Sequence, residues 1–296
     1  MKKIIHHTSR FSLLLILISS LFFSCAEAPK KEGHEKETKN QEEQSSNDQK
    51  EAKEVVEDQS FMLPSPIQIA AIFNRAGLSF EQGLTNPVEN SKKYNTKTSK
   101  YLNFGVYSAD LAYVVLNEKQ QLSIDYLNVV KQLSEEIGMP GIFGTGKLVE
   151  SFEKNVGNRD TVLQILTTIK RRTDQYLAEN RESSKEAIFF SSAWLEGMYL
   201  GANSADEDER LTPRLVEQMT ILDNIIKAIK KQKDPSLDID FMLKGLTELH
   251  RTFEDFESVK QLDQENADLN EISLTSEEMN ILKEKISKLR NQVIAG

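Results

Sequence analysis

The chain has 296 residues, a formal net charge of −9, one cysteine and only 7% aromatic residues. The acidic balance argues against nucleic-acid binding, because proteins of that class carry a basic face. A single cysteine excludes an intramolecular disulfide framework and any site built from several thiolates. With 13 glycines, 7 prolines and 28% charged residues, the composition favours a helical protein over a turn-rich β-sandwich.

Residues 1–24 have the features of a signal peptide. A short basic start precedes a mostly apolar run over residues 11–23. Crossing about 30 Å of hydrocarbon needs about 20 apolar residues, so this run is too short for a membrane helix. It ends in Phe-Phe-Ser-Cys-Ala over residues 22–26, which resembles the lipobox of bacterial lipoproteins. The resemblance implies that Cys25 is lipidated and becomes the mature N-terminus.

Lipidation of Cys25 predicts attachment to a membrane without a spanning helix, since acyl chains contribute about 0.8 kcal/mol for each buried CH₂. Ala26, and not aspartate, follows the cysteine. By resemblance to the sorting rules of diderm bacteria, this favours the outer membrane, with the protein facing the periplasm or the cell exterior. The alternative is an ordinary secretory signal in which the cysteine is incidental.

Residues 25–60 comprise Cys25 and an acidic linker that is expected to be disordered. Residues 26–60 contain no Phe, Tyr or Trp, and their eleven acids outnumber six bases. Such a segment cannot bury enough apolar surface to offset its chain entropy. Residues 61–296 carry a net charge of −7, which disfavours docking on anionic headgroups. Attachment is therefore expected to depend on the lipid.

Residues 61–296 are predicted to form one all-α domain. Their apolar residues recur at helical spacing, and the prolines fall at expected helix boundaries. Ser65-Pro66 and the capping box from Thr275 to Glu278 are typical helix starts. About nine helices with short connections indicate a multi-helix bundle or stacked helical hairpins.

Two local expectations concern helix boundaries. Asp160 is expected to cap the helix that follows it, because aspartate is a preferred N-cap residue. A single helix is expected to begin at Thr212-Pro213 and to continue through Ile229, since one apolar stripe runs along this segment.

A weak internal repeat suggests two related halves. Residues 104–114 and 190–200 share a pattern of an aromatic residue, five residues, an acid, two residues, a tyrosine and an apolar residue. An apolar-striped helix follows each copy. The alternative is a chance match between two aromatic-rich helices.

Asp110 and Glu196 are the candidate binding residues, since each is an acid on an aromatic-rich, largely apolar stretch. A buried carboxylate is costly unless it is paired, hydrogen-bonded or protonated. Gly105, Gly197 and Gly201 would let the two helices approach, so that the carboxylates converge in a tyrosine-lined pocket for a cation, an amine or a sugar-like ligand. The candidate ligand-binding residues are Tyr107, Asp110, Tyr113, Trp194, Glu196 and Tyr199.

A structural role for these acids is the alternative. Tyrosine hydroxyls and backbone groups could satisfy them inside a core, or both acids could lie at the solvent edge. A carboxylate-dependent hydrolase that uses Asp110 and Glu196 as a pair is the least favoured interpretation.

The sequence of residues 61–296 gives little support to other catalytic, metal-binding or phosphate-binding sites. This part of the chain lacks cysteine and has a single histidine, which excludes thiol nucleophiles and multi-histidine metal sites. His250 and Glu254 share a helix face that is expected to be solvated. Residues 141–148 imitate a phosphate-binding loop, but Leu148 replaces the required hydroxyl residue and a helix precedes the loop. No catalytic residue, metal or cofactor is therefore predicted.

Three segments carry a resemblance to a family. Residues 63–72, 103–113 and 193–199 are similar to those of uncharacterised helical lipoproteins of Bacteroidota-type bacteria. The resemblance implies a cell-envelope location and supplies no activity. The sequence thus predicts an envelope lipoprotein whose domain binds a partner protein or small ligand without catalysis. Ligand or cation binding at Asp110 and Glu196 is the alternative.

Overall fold

Eleven α-helices and one 3₁₀-helix form the secondary structure of residues 64–204, 210–260 and 273–296, which are the residues described by the computed structural model. No strand occurs within these ranges, which confirms the predicted all-α, multi-helix fold. The helices are α1 (Pro66–Arg75), the 3₁₀-helix (Val88–Lys93), α2 (Lys97–Leu116), α3 (Gln120–Glu136), α4 (Lys147–Asn155), α5 (Arg159–Glu179), α6 (Ser183–Ser204), α7 (Leu211–Met219), α8 (Leu222–Lys230), α9 (Asp240–Glu254), α10 (Glu257–Lys260) and α11 (Ser276–Ala295).

The described residues all belong to one compact unit. The predicted signal peptide, Cys25 and the linker lie outside the described residues. Whether the domain consists of two related halves stays a prediction, although the two copies of the repeat lie on α2 and α6, which pack directly against each other.

Helices α2 and α6 form the centre of the fold. They make the most extensive helix–helix contact, and most residues of each are buried around the whole circumference. A helix that is apolar on all sides must be covered by others. Here α1 and α11 pack on both central helices, α3 packs on α2, and α5, α7 and α8 pack on α6.

Close approach of the central helices depends on Gly105. A Cβ atom at this position would collide with the carbonyl oxygen of Phe189 on α6. The hydroxyl of Ser192 donates to the carbonyl oxygen of Leu102 at 2.6 Å across the same crossing. The expectation for the other two glycines was wrong, because Gly197 and Gly201 face side chains of α1 and not α2.

The predicted helix starts at both ends of the domain are confirmed. Ser65 and Thr275 each form a capping box, with Gln68 and Glu278 as the reciprocal partners, and Pro66 occupies the first position of α1. These caps satisfy backbone N–H groups that have no partner within a helix.

Two boundary expectations were wrong. Helix α5 is capped by Asn158, whose side chain accepts from the Thr161 N–H at 3.0 Å, so Asp160 lies in the first turn. The single helix expected from Thr212 to Ile229 is divided into α7 and α8 at residues 220–221. There the Thr220 hydroxyl donates to the carbonyl oxygen of Glu217 at 2.7 Å, and this bond competes with helical pairing.

Candidate functional site

Asp110 on α2 and Glu196 on α6 meet in the interior of the protein. Both side chains are fully buried, and the charge of Glu196 is one of the main causes, after burial, that raise the pKa of Asp110. The close crossing at Gly105 brings the two helices together along this face. The structure therefore places the two acids side by side and away from bulk water.

Arg290 on α11 is the charge partner of Glu196. Its Nε donates to Glu196 Oε2 and its Nη2 to Oε1, both at 2.9 Å. The guanidinium carbon lies 4.3 Å from the centroid of the Tyr199 ring, and Nη2 also reaches the carbonyl oxygen of Leu84 at 3.4 Å. A planar guanidinium matches a carboxylate in this bidentate geometry. Glu196 is thus neutralised by the protein itself.

Asp110 has no comparable cation of its own. Its Oδ2 accepts the Asn86 N–H at 3.1 Å, and its Oδ1 has no hydrogen-bond partner among the described residues. Burial and repulsion from Glu196 raise the pKa of Asp110 well above its usual range, while Arg290 and the Asn86 N–H oppose this shift. A protonated Asp110 can donate to Glu196, which leaves the three side chains with no net charge.

We refer to Asp110, Glu196 and Arg290 as the acid–arginine cluster. Arg290 is only 5% exposed and the two acids are 0% exposed. The raised pKa of Asp110 favours its protonated form beside the ion pair of Glu196 and Arg290, and none of the charged atoms of the cluster faces solvent where a substrate could meet it.

Two of the three predicted tyrosines hold the connection between α1 and α2 rather than the acids. The hydroxyl of Tyr107 donates to the Pro87 carbonyl oxygen at 2.7 Å, and that of Tyr113 donates to the Ser79 carbonyl oxygen at 2.8 Å. Burial raises the pKa of Tyr113 to about 12, so this hydroxyl remains a donor even in mildly alkaline solution. Of the three predicted tyrosines, Tyr199 contacts the cluster directly, through Arg290.

Trp194 is also part of the interior. It is fully buried on α6, and its Nε1 has no acceptor among the described residues. An indole in this position contributes packing area to the core and presents no exposed ring face on which a ligand could stack.

Sequence reasoning missed Arg290 and the segment over residues 79–87. Arg290 lies on the buried face of α11 with Ile286 and Val293, at helical spacing. A charge on an apolar face is the signal that singled out Asp110, and it would have identified Arg290 as well. The segment 79–87 has no hydrophobic period, so its backbone contacts to the cluster left no comparable signal.

A second feature lies beside the central helices and is open to solvent. We call it the apolar cleft, a cavity of about 90 Å³ bordered by α1, α2, α3, α5 and α6 and by the connection between α3 and α4. Its walls are largely aliphatic and aromatic. They include Ile67, Phe104, Leu111, Ala112, Val130, Phe143, Leu166, Ile169, Phe189 and Phe190.

Three charged side chains stand at the partly exposed edge of the apolar cleft. Lys170 Nζ lies 2.7 Å from Asp174 Oδ2 and 3.9 Å from Glu186 Oε1. Burial raises the pKa of Glu186, Lys170 lowers it, and Asp174 adds a smaller increase. Two carboxylates therefore share one ammonium group at the mouth of an apolar cavity.

The remaining motifs have structural roles. The loop over residues 141–146 connects α3 to α4 and buries Ile142 and Phe143, so it is a helix–helix connector. His250 Nδ1 lies 3.3 Å from Glu254 Oε2 on a face where the glutamate side chain is 62% exposed. Within the described ranges, no three His, Cys, Asp or Glu side chains are grouped so that they could hold a metal ion.

Comparisons with known proteins do not assign the chain to a family. No family model, no curated protein and no solved structure matches it. In the part of the chain that the structure describes, no helix has both the length and the apolarity needed to cross a bilayer. The function is accordingly argued from the apolar cleft and the acid–arginine cluster.

Proposed function

We propose that the chain is a lipid-anchored protein of the bacterial outer membrane whose helical domain binds an apolar ligand group without catalysing a reaction. The single observation that carries the binding role is the apolar cleft between α1, α2, α3, α5 and α6. The group that it holds belongs either to a small molecule or to a side chain of a partner protein. The anchor rests on Cys25 and the lipobox-like sequence around it.

The size of the apolar cleft limits what it can hold. Its volume of about 90 Å³ is smaller than the roughly 150 Å³ of an engineered cavity that binds benzene. A short branched alkyl group suits this space and its largely apolar walls. Each CH₂ that leaves water contributes about 0.8 kcal/mol, so a group of four or five carbons supports weak but measurable binding.

The acid–arginine cluster favours a structural role over a ligand site. The guanidinium of Arg290 already occupies the bidentate position beside Glu196 that a cationic ligand would need. All three side chains are buried, so a ligand would have to displace an element of the core. Hydrolysis by the two carboxylates has the same difficulty, because neither acid reaches water.

Binding in the apolar cleft can be tested with a cleft-filling variant. Ser108 lines the cleft and is partly exposed, and its hydroxyl donates only to the Phe104 carbonyl oxygen of its own helix. In the full chain, titration with 3-methyl-1-butanol should shift the methyl NMR signals of Leu111 and Ile169 in a saturable way. The variant Ser108→Leu should weaken this binding at least about tenfold, because leucine occupies the cavity.

A matched control is available on α5. Thr168 makes the same type of bond, to the Gln164 carbonyl oxygen at 2.9 Å, but it does not line the cleft. Thr168→Leu should therefore bind the alcohol like the unmodified protein. Absence of saturable shifts in the unmodified protein, or equal binding by Ser108→Leu, would contradict the proposal.

A further inference from the structure

The charges at the mouth of the apolar cleft are unbalanced. Lys170 pairs closely with Asp174, at 2.7 Å, whereas Glu186 lies 3.9 Å from the same ammonium group, at the limit of an ion pair. Both pairs involve half-exposed side chains, so the second carboxylate is only weakly compensated. A ligand that suits this site would combine an apolar group for the cavity with a positive charge for the weakly paired carboxylate.

We propose that the apolar cleft selects a primary amine with a short branched alkyl body, whose ammonium group pairs with Glu186 while its alkyl group enters the cavity. This inference rests on the proposed binding function and adds the ligand class. The walls formed by Phe104, Ile169 and Phe189 hold the alkyl group. The head group then lies at the partly exposed edge, where Glu186 and Asp174 supply the negative charge.

The position of Glu186 keeps its carboxylate available to such a ligand. It lies in the first turn of α6, where the partial positive charge of the helix N-terminus opposes the increase in pKa that burial causes. Lys170 contributes a second positive charge, but the closer Asp174 neutralises most of it. An ammonium group would therefore be attracted to this edge, an anionic head would be repelled by two carboxylates, and a hydroxyl head would gain little.

Three probes with the same isobutyl body separate the effect of the head group from that of the cavity. They are 3-methylbutylamine, 3-methyl-1-butanol and 3-methylbutanoate, titrated at pH 7 into the full chain with the methyl signals of Leu111 and Ile169 as the readout. The amine should bind about fivefold more tightly than the alcohol, which is about 1 kcal/mol and suits a partly exposed ion pair. The carboxylate should bind most weakly.

The variant Glu186→Gln tests the assigned partner directly. It should bind the amine no more tightly than the alcohol, since the charge that distinguishes the two head groups has been removed. Glu182→Gln is the matched control, because it removes the same charge one turn earlier in the chain, where Glu182 pairs with Lys185 and does not line the cleft. This control should retain the preference for the amine.

The outcomes distinguish the two proposals. If the amine and the alcohol bind equally to the unmodified protein, the amine selectivity is wrong while binding in the apolar cleft stands. A preference that survives Glu186→Gln would also overturn the assignment. If none of the three probes produces saturable shifts, both the amine selectivity and the proposed binding function fail.

Discussion

Asp110 is a residue whose protonation state is set by the fold. In an unfolded chain its carboxyl ionises near pH 4, but in the interior it lies beside a second acid whose arginine is already engaged. Ionising Asp110 would leave an uncompensated negative charge at a site with no contact with water. The raised pKa reduces this cost, because it favours the protonated and uncharged form of Asp110.

The variant Asp110→Asn should reveal this proton through the pH dependence of stability. Because the folded pKa of Asp110 is raised, its contribution is fully present below about pH 4 and is lost as the pH rises toward the folded pKa. The free energy of unfolding of the unmodified protein, relative to that of Asp110→Asn, should therefore fall with rising pH above about 4. The slope is at most about 1.4 kcal/mol for each pH unit.

Urea unfolding from pH 4 to pH 8 measures this difference, and all other titrating groups are common to both proteins. Asparagine preserves the shape of the protonated acid, so the variant should fold at every pH in the range. A difference that is independent of pH, or that rises with pH, would contradict a raised pKa for Asp110.

Among the helices, α11 depends on contacts that reach the centre of the fold. Arg290 bonds to Glu196 on α6, and the Asn103 amide on α2 donates to the Val293 carbonyl oxygen at 3.0 Å. These bonds tie the last helix to both central helices. The C-terminal helix is therefore an integral part of the core and not an appended segment.

Replacing Arg290 with alanine should destabilise the protein strongly. Glu196 would remain buried without its partner, and breaking a buried pair in this way costs about 3–5 kcal/mol. Lys285→Ala on the same helix is the control, because its pair with Glu248, at 2.7 Å, is partly exposed and should contribute less than about 1 kcal/mol. Urea unfolding of both variants gives the comparison.

A double variant distinguishes the contribution of the ion pair to stability from the cost of leaving Glu196 buried without its partner. Combining Arg290→Met with Glu196→Met removes both charges, and it should recover most of the stability lost in Arg290→Ala. If Arg290→Ala costs no more than Lys285→Ala, the buried pair does not stabilise the position of α11.

Helices with clear sequence signals could be predicted from the sequence, whereas contacts made by irregular segments or by single side chains could not. The caps gave α1 and α11, and lone acids on apolar stretches led to Asp110 and Glu196. The division of α7 from α8 was missed because the same apolar stripe continues from one helix to the next across residues 220–221. The apolar cleft was missed because its walls come from five helices and a connecting loop, and their alignment depends on tertiary packing.

For the whole molecule, the charge distribution bears on the proposed attachment to a membrane. Residues 61–296 carry a net charge of −7 and residues 26–60 carry −5, so both parts are repelled by an anionic membrane surface. In the proposed arrangement the lipid on Cys25 supplies the attachment and the helical domain supplies the binding surface. These two roles can be separated experimentally, because Cys25 lies outside the domain that forms the cleft.

Replacing Cys25 with serine should release the protein from membranes while the domain stays folded. Serine cannot accept the lipid, and no other cysteine exists in the chain to replace it. Ser24→Ala is the matched control, since it keeps a small residue before the cysteine and should remain attached. Membrane fractionation measures the distribution, and thermal unfolding followed by circular dichroism should show the same midpoint for the released protein.

A wash in 1 M salt, which shortens the screening length to about 3 Å, should leave the unmodified protein bound. Retention of Cys25→Ser on the membrane, or release of the unmodified protein by salt, would contradict a lipid anchor.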